Sequence, residues 1–307
     1  MAIQKIKREN REEWLELRKK YIGGSDAASV VGLNEWQSPY ALWCEKRGIT
    51  PPFDGNLRTE VGTFLEPFIA KLFEKETGKK VQNCNFSLIN DAYPWAIADV
   101  DRMVVGEDSL LEIKSTDSLN LRHYKNGDYP ARFYAQCMHY LGVTGKQKAY
   151  LAVLIGNNDF RWFQIDRDEA EIESLMKAEK QFYEWMISGE EPPANPVDVD
   201  SIELAHPKSN GTSIELFGTQ NIMRDYLELK SRIAALEQEA DGIAAVLKQD
   251  LADAEKGTDG QYICTWANRT KTTFDKKAFQ KDNPQIDLSP WEKTTKYRAF
   301  SIKKLEV

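Results

Sequence analysis

Residues 100–114, which read VDRMVVGEDSLLEIK, are the most informative stretch of this chain about its structure. Two runs of mostly aliphatic residues flank the polar, turn-like segment 106–109, a pattern typical of a β-hairpin. Alternate side chains share a face in an extended strand, so Glu112 and Lys114 project together while the aliphatic residues between and before them point into the sheet. The segment therefore predicts a hairpin that fixes a carboxylate and an amine side by side.

Asp101 lies on the partner strand of this predicted hairpin and can reach the same place as Glu112. Two carboxylates and a backbone carbonyl are the oxygen ligands that Mg²⁺ prefers. Lys114 would then orient or deprotonate a water while the metal holds a phosphate. A solvated hairpin carrying an exposed Glu–Lys pair is the ordinary alternative. The motif alone leaves both interpretations open.

Length and composition limit the class of protein. The chain has 307 residues, of which 41% are hydrophobic and 29% charged. At about 150 residues per domain this predicts two domains, and no apolar run is long enough to span a membrane. The N-terminal segment MAIQKIKREN lacks the apolar stretch of a secretory signal, and the cysteines form no C-x-x-C pair. We therefore expect a cytoplasmic protein with four free thiols.

The net charge does not identify the partner. Lys and Arg number 41 and Asp and Glu 48, which gives −7, whereas nucleic-acid binders are usually basic. Residues 266–307, however, contain ten basic and five acidic side chains. An enzyme that holds metal ions and acts on a polyanion can be acidic overall, since its carboxylates collect at the metal and only the phosphate track is basic.

The order of patterns before residue 190 predicts a mixed α/β domain. Helical periodicity is found over 57–77, 131–141 and 168–187, and strand patterns over 148–155 and 160–165. The proline-rich segment 189–196 interrupts every regular pattern, so we place a domain boundary there. The predicted domains are residues 1–195 and 196–307.

The second predicted domain contains a long helix over about residues 220–256. Its apolar residues are spaced alternately four and three apart, which defines a heptad seam: Ile222, Tyr226, Leu229, Ile233, Leu236, Ala240, Ile243 and Leu247. Such a helix would be about 55 Å long at about 1.5 Å per residue. The seam could pack on the chain's own first domain, fold back as a hairpin arm, or join subunits. A small β-containing, basic unit is predicted after the helix.

Several further blocks resemble the YqaJ and lambda-exonuclease branch of the PD-(D/E)XK nucleases over roughly residues 12–190. They are WLELR at 14–18 with IGGSDAA at 22–28, SPYALW at 38–43, GTFLE at 62–66 and YAQCMHYL at 134–141. Their occurrence in order makes a chance match improbable. The resemblance implies a restriction-endonuclease-like core, in which a mixed central sheet is flanked by helices, followed here by the long heptad helix and the small β-containing unit.

The first acid departs from the family pattern. Where the family usually has Pro-Asp-Gly or a Leu-Asp variant, this chain has Val100-Asp101-Arg102. Asp99 is therefore a rival for the same role. The apolar pair that follows Asp101 aligns better with the family and favours Asp101.

Carried over to this chain, the resemblance implies that Asp101 and Glu112 bind metal together with the carbonyl of Ile113. Lys114 would activate the attacking water. The cofactor implied is Mg²⁺, or alternatively Mn²⁺, with two ions per site.

The resemblance assigns roles to four further residues. Glu66 would assist through the second metal or its water, and Gln136 would hold the water or Lys114. Arg18 and Ser25 would bind a terminal 5′-phosphate, which agrees with the affinity of arginine and of a helix start for anions. Glu66 could otherwise be an exposed helix acid, although its apolar neighbours favour the site role. Without the resemblance, Gln136 would be interpreted as a helix-surface amide, Ser25 as a helix N-cap and Arg18 as a surface charge.

The resemblance implies a Mg²⁺-dependent 5′–3′ exonuclease that acts on double-stranded DNA ends. Its single-stranded product would serve a single-strand annealing recombinase of a phage or prophage in a bacterial cell. No phosphate-binding loop of the G-x-x-x-x-G-K-[ST] type occurs, so ATP is not expected. Family members form rings, so we expect a homo-oligomer.

Two other functions are also compatible with the sequence. The same metal site could serve a structure-specific or nicking endonuclease, since the surrounding surface decides which bonds are reached. A non-catalytic DNA- or protein-binding module on the same fold is less favoured, because a decayed site would have lost at least one of its polar residues.

Overall fold

The chain folds into two compact units, Met1–His206 and Pro207–Val307. A computed structural model describes residues 2–7, 11–51, 55–295 and 297–304. The two units are considered separately below.

The first unit is a mixed α/β structure, as the sequence predicted. Its strands are β1 (Ile3–Lys7), β2 (Ile22–Gly23), β3 (Val81–Asn83), β4 (Phe86–Asn90), β5 (Ala96–Ile97), β6 (Arg102–Val104), β7 (Ser109–Thr116), β8 (Lys148–Ile155) and β9 (Asp159–Asp166). Its helices are α1 (Arg11–Lys20), α2 (Gly24–Val30), α3 (Pro39–Lys46), α4 (Leu57–Thr77), α5 (Ala131–Thr144), α6 (Glu169–Ser188) and α7 (Val199–Ala205).

The central sheet has five strands in the order β3-β6-β7-β8-β9. β7 and β8 are parallel, and the other neighbours are antiparallel. The predicted hairpin is formed by β6 and β7, in which Met103 lies opposite Leu110. The second strand pair predicted after residue 148 is the hairpin of β8 and β9.

Helices cover both faces of the sheet. On one face, Ile69 and Phe73 of α4 pack against Leu111 and Ile113 of β7. On the other face, α5 packs against β8 and α6 packs on α5, within a larger apolar cluster that includes Leu110 of β7. Alternation along β7 explains this division, since neighbouring residues of a strand face opposite sides.

Local signals set the ends of the helices. The Asn56 side chain caps α4 by accepting a hydrogen bond from the Thr59 amide. α5 continues three residues past its predicted end because its first suitable stop is Gly145, which has a left-handed φ of 69°.

The first unit extends beyond the predicted boundary at residue 195. The Tyr40 hydroxyl donates a hydrogen bond of 2.8 Å to Glu191, and the Ser38 hydroxyl donates to Asp198. α7 also packs on α3. These contacts hold the proline-rich segment and the residues after it against the first unit as far as His206.

The second unit contains α8 (Gln220–Leu251), β10 (Lys256–Thr258), β11 (Ile263–Thr265) and α9 (Lys276–Asp282). The prediction that the long helix reaches residue 256 was wrong, because residues from Lys256 onward pair with β11 instead. Leu251, the last helical residue, is buried, and its side chain packs where a Cβ on Gly257 would stand, 2.9 Å away. Glycine at that position therefore allows the hairpin to close over the helix end.

The large apolar side chains of the α8 seam are exposed. Their exposed fractions range from 38% for Tyr226 to 69% for Ile222.

None of the described helices combines the length and the apolar composition that crossing a membrane requires.

Candidate active site

Glu112 and Lys114 stand side by side on β7, as strand alternation predicts. The Lys114 Nζ donates a hydrogen bond of 2.5 Å to Oε1 of Glu112. Glu112 is only 1% exposed, whereas the Lys114 side chain is 26% exposed. The carboxylate is thus enclosed by the fold, and the amine lies between it and solvent.

Asp101 immediately precedes β6 and reaches the neighbouring strand. Its Oδ2 accepts a hydrogen bond of 2.8 Å from the amide of Ile113, the residue between Glu112 and Lys114. The rival Asp99 is engaged elsewhere, since its carboxylate accepts hydrogen bonds from the Trp14 indole at 2.8 Å and from the Ser87 hydroxyl. The geometry therefore favours Asp101 for the metal site.

Gln136 on α5 contacts the same carboxylate. Its Nε2 donates to Oε1 of Glu112 at 2.7 Å and to the Tyr140 hydroxyl at 3.1 Å. The Tyr140 hydroxyl in turn donates to the carbonyl of Asp99 at 3.1 Å. Tyr140 was not predicted as a site residue, although its position four residues after Gln136 puts both on one helix face.

Glu66 on α4 lies next to this group but contacts Arg102 instead of the Glu112 carboxylate. Its Oε1 accepts a hydrogen bond of 2.5 Å from Nη1 of Arg102, which also donates to the carbonyl of Asp101 at 2.7 Å. The structure thus brings together Asp101, Glu112, Lys114 and Gln136 and places Glu66 beside them on an arginine that the sequence analysis did not single out.

The site holds more negative charge than its protein partners neutralise. Burial, followed by the charge of Glu112, raises the pKa of Asp101 well above its usual value. Burial also raises the pKa of Glu112, although Lys114 partly opposes this. For Lys114, burial lowers the pKa, but the two carboxylates outweigh it and the net shift is upward. The two buried carboxylates are therefore hard to ionise together, and a bound cation would favour their ionised forms.

One buried oxygen atom of this site is a particular argument for metal binding. Oε2 of Glu112 is buried and has no hydrogen-bond partner, which is costly unless something absent from the protein binds it. Oxygen ligands of this kind fit Mg²⁺. Within the described ranges, no three His, Cys, Asp or Glu side chains form a metal-binding group. The carboxylates that the structure brings close to this atom are those of Glu112 itself and Asp101.

Arg18 and Ser25, the predicted phosphate pair, contact each other. Nη2 of Arg18 lies 2.6 Å from the Ser25 hydroxyl and 3.4 Å from Oδ1 of Asp26. Ser25 is not the N-cap of α2: that position is Gly23, and Ser25 lies in the first turn. The helix begins earlier because Asp26, its third residue, accepts a hydrogen bond of 2.8 Å from the Gly23 amide.

A buried lysine supports this pair. The side chain of Lys46 is 4% exposed and lies 2.5 Å from Oδ2 of Asp26. Lys46 also donates to the carbonyls of Arg18 and Tyr21 at 2.7 and 2.9 Å. Burial raises the pKa of Asp26, but Lys46 and then Arg18 lower it by more. Asp26 thus stays ionised between two cations, Lys46 and Arg18, while the carboxylates of Asp99 and Glu45 also act on Arg18.

α2 and α5 pack closely between the two groups of residues. A Cβ on Gly24 would stand 2.4 Å from a ring carbon of Tyr140, closer than any real contact. Gly24 immediately precedes Ser25, and Tyr140 contacts Gln136. The phosphate pair and the carboxylate group are therefore connected through a few tightly packed residues.

Comparisons with known proteins agree with this architecture. Residues 13–147 match the family described as YqaJ-like viral recombinase domain. The chain is also 35% identical over 306 residues to the uncharacterized protein YqaJ of Bacillus subtilis (strain 168), an alignment that covers 96% of this chain and 95% of that protein. The chain belongs to the YqaJ-like viral recombinase family. The resemblance expected from the sequence blocks is thereby confirmed.

The fold of this YqaJ-like protein is also found in solved structures. The alkaline exonuclease of Laribacter hongkongensis is 20% identical, with a TM-score of 0.50, over 58% of this chain and 94% of that one. Its complex with dAMP matches over the same shares with a TM-score of 0.51. At this identity the similarity shows a shared fold, which confirms the predicted class of core.

Proposed function

We propose that this YqaJ-like protein is a metal-dependent, ATP-independent exonuclease that degrades one strand of duplex DNA from its 5′ end. The observation that carries the proposal is the buried Glu112 carboxylate, which is held at one oxygen by Lys114 and Gln136 and is unpartnered at the other. Family membership and the shared fold with an alkaline exonuclease support the choice of DNA as substrate.

In this proposal, different residues bind the metal, orient the Glu112 carboxylate and act on the attacking water. Asp101, Glu112 and the Ile113 carbonyl would hold Mg²⁺ or Mn²⁺, which when bound supplies charge stabilisation to the scissile phosphate. Gln136 fixes the orientation of the Glu112 carboxylate. Lys114 would orient the attacking water at its Nζ, and it would take a proton from that water only in the neutral amine form, which the positive charge of a bound cation favours.

Glu66 has an accessory role in this proposal. Its carboxylate would act through a second ion or the water bound to that ion, and Arg102 sets its position next to the main group. Two ions per site are therefore part of the proposal.

The 5′ polarity rests on Arg18 and Ser25. The Arg18 guanidinium and the Ser25 hydroxyl, which contact each other above the buried Asp26–Lys46 pair, suit a terminal phosphate. A phosphate held there would position the strand without taking part in bond breaking.

The experiment that tests the proposal compares linear duplex DNA with the same DNA as closed circles. Release of nucleotides from linear DNA alone, dependent on Mg²⁺ or Mn²⁺ and independent of ATP, is the expected result. Cutting of closed circles would replace the exonuclease with the endonuclease alternative. DNA binding without cleavage of either form would leave only a binding module.

The family description supports a proposal for the biological setting. We propose that the single-stranded product passes to a single-strand annealing recombinase, that the chain is of phage or prophage origin, and that it acts in the cytoplasm of a bacterial cell. Co-purification of the protein with an annealing protein of the same phage or prophage would support this setting.

We also propose that the protein is a homo-oligomer and that α8 of a second copy covers the exposed seam. A heptad seam needs a helix of similar length beside it. The other described helix of the second unit, α9, has only seven residues. A second copy of α8 meets the requirement.

The charges beside the seam are compatible with self-association. In a parallel pair, Asp225 faces Lys230 of the second copy, and Arg232 faces Glu237. In an antiparallel pair centred between Ile233 and Leu236, residues 232 and 239 face each other, as do 230 and 237, again with opposite charges. Neither arrangement opposes like charges.

A further inference from the structure

The segment after the β10–β11 hairpin turn combines exposed aromatic rings with basic side chains. We call residues 262–295 and 297–304 the C-terminal basic segment. Its exposed rings, with their exposed fractions, are Tyr262 (76%), Trp266 (51%), Phe274 (68%), Trp291 (77%), Tyr297 (82%) and Phe300 (77%). No residue that the structure describes in this segment is buried. The rings are therefore not the core of a small domain.

Basic residues separate these rings along the chain. They are Arg269, Lys271, Lys276, Lys277, Lys281, Lys293, Arg298, Lys303 and Lys304. Lysine is depleted from the cores of protein interfaces, where aromatic anchors cluster. Rings that alternate with lysines are instead typical of surfaces that track a nucleic-acid backbone and stack its bases.

The acidic side chains of the segment are mostly engaged in local contacts. Asp275 caps α9 by accepting from the Ala278 amide at 2.9 Å, and Asp287 accepts from the Ser289 amide at 2.9 Å. Glu292 forms an ion pair with Lys276. These three carboxylates and Asp282 are outnumbered by the nine basic side chains named above, so the segment carries a net positive charge.

We propose that the C-terminal basic segment is a binding site for single-stranded DNA. Lys and Arg side chains would contact phosphates, and aromatic rings would stack on bases. In duplex DNA the bases already stack on one another, so exposed rings give a preference for single strands. That this strand is the enzyme's own product rests on the proposed exonuclease function, whereas the binding itself does not.

Trp291 and Tyr297 are the most suitable rings to substitute in a test of single-stranded DNA binding. Phe274 contacts Phe279, Phe300 contacts Tyr226, and Trp266 lies under Lys248 at 5.9 Å. Replacing those three rings would disturb contacts inside the second unit. Trp291 and Tyr297, exposed by 77% and 82%, can be removed with less effect on packing.

The experiment measures the fluorescence anisotropy of labelled oligothymidylate of about 30 nucleotides and of a blunt duplex, with full-length protein in EDTA so that no cleavage occurs. The double variant Trp291→Ala/Tyr297→Ala should lose at least about tenfold in affinity for oligothymidylate, because each lost stack weakens binding. Its affinity for duplex should change less than about twofold. Phe217→Ala removes a 99% exposed ring outside the segment and should bind like wild type.

The salt dependence supplies a second measurement. Each phosphate contact to a single strand contributes about 0.7 to the slope of log affinity against log salt. Lys271→Glu/Lys277→Glu should reduce the slope for oligothymidylate, whereas Trp291→Ala/Tyr297→Ala should lower affinity at nearly constant slope. Circular dichroism spectra like that of wild type would show that the variants are folded.

Unchanged affinity of the folded double variant for oligothymidylate would overturn this proposal, as would an equal loss for duplex. A change in oligomeric state without loss of single-strand binding would reassign the rings to a protein contact. Failure of the proposed exonuclease function is distinguishable, because it would appear as absence of metal-dependent cleavage in wild type whatever the binding result.

Discussion

Lys114 lies 2.5 Å from a buried carboxylate yet retains access to solvent. Lys114→Ala should lower the rate of metal-dependent DNA cleavage at least about 10²-fold, the lower end for loss of a proton-transfer or water-orienting group. Duplex affinity and thermal unfolding should change little. The measurement is single-turnover cleavage, with Lys177→Ala on the exposed surface of α6 as control. Wild-type turnover in Lys114→Ala would contradict the assignment.

Asp101 and Asp99 can be separated by isosteric substitutions. Asp101→Asn should abolish cleavage and weaken Mg²⁺ binding, because it removes a charge from the proposed ligand set. Asp99→Asn should reduce cleavage less, since Asp99 contacts Trp14 and Ser87. Calorimetric titration with Mg²⁺ and cleavage assays on both variants check this. An inactive Asp99→Asn beside an active Asp101→Asn would exchange their roles.

Arg18 should govern which DNA ends are used. Wild type should degrade 5′-phosphorylated duplex roughly ten- to hundredfold faster than 5′-hydroxyl duplex, the range of a charge-assisted bidentate contact. Arg18→Ala should remove most of this preference and still cleave hydroxyl ends. The neighbouring surface variant Lys19→Ala should keep the preference. Equal wild-type rates on both ends would eliminate the phosphate pocket.

Strand alternation was enough to predict that Glu112 and Lys114 are adjacent, because their spacing alone fixes a common face. The contacts of Tyr140, Arg102 and Lys46 could not be read from the sequence. They depend on how α5, β6 and α3 pack, and pattern along the chain does not determine packing between distant elements.

α8 allows a test of the proposed self-association. Leu229→Asp/Leu236→Asp places charges in the seam and should convert the oligomer to smaller species, seen as a lower mass in light scattering. Leu227→Asp changes an apolar residue of the same helix that lies outside the seam and should leave the mass unchanged. Unaltered mass for both variants would exclude the seam as the interface.

The prediction of α8 also shows what periodicity can establish. The heptad spacing identified the helix and its apolar face, because both depend only on the order of residues within the element. The end at Leu251 depends on pairing of β10 with β11, which lies beyond the periodic segment. The two compact units likewise meet at His206 because Tyr40 and Ser38 hold the preceding residues.

For the molecule as a whole, the segment between the units and the C-terminal basic segment should be the first sites of proteolysis. Residues 207–219 are exposed or partly exposed and belong to no helix or strand. Brief trypsin treatment should cut after Lys208 and leave a folded N-terminal fragment, identified by mass spectrometry. The apolar clusters of the first unit lie within residues 22–205, which explains its expected resistance. First cleavage inside α4 or α5 would contradict this order of stability.

Gly24 connects the proposed phosphate-binding pair to the proposed metal site. The absence of a side chain lets α2 approach Tyr140, whose hydroxyl and Gln136 partner lead to Glu112. Any bulk added at residue 24 must push the tyrosine ring and so disturb the carboxylate. A substitution of Gly24 would therefore affect both groups of residues, the pair Arg18 and Ser25 and the group around Glu112. In the proposed function, a change in the preferred DNA end would therefore arise from substitutions of exposed side chains such as Arg18. Changes of the backbone around Gly24 would also disturb the residues proposed to cleave DNA.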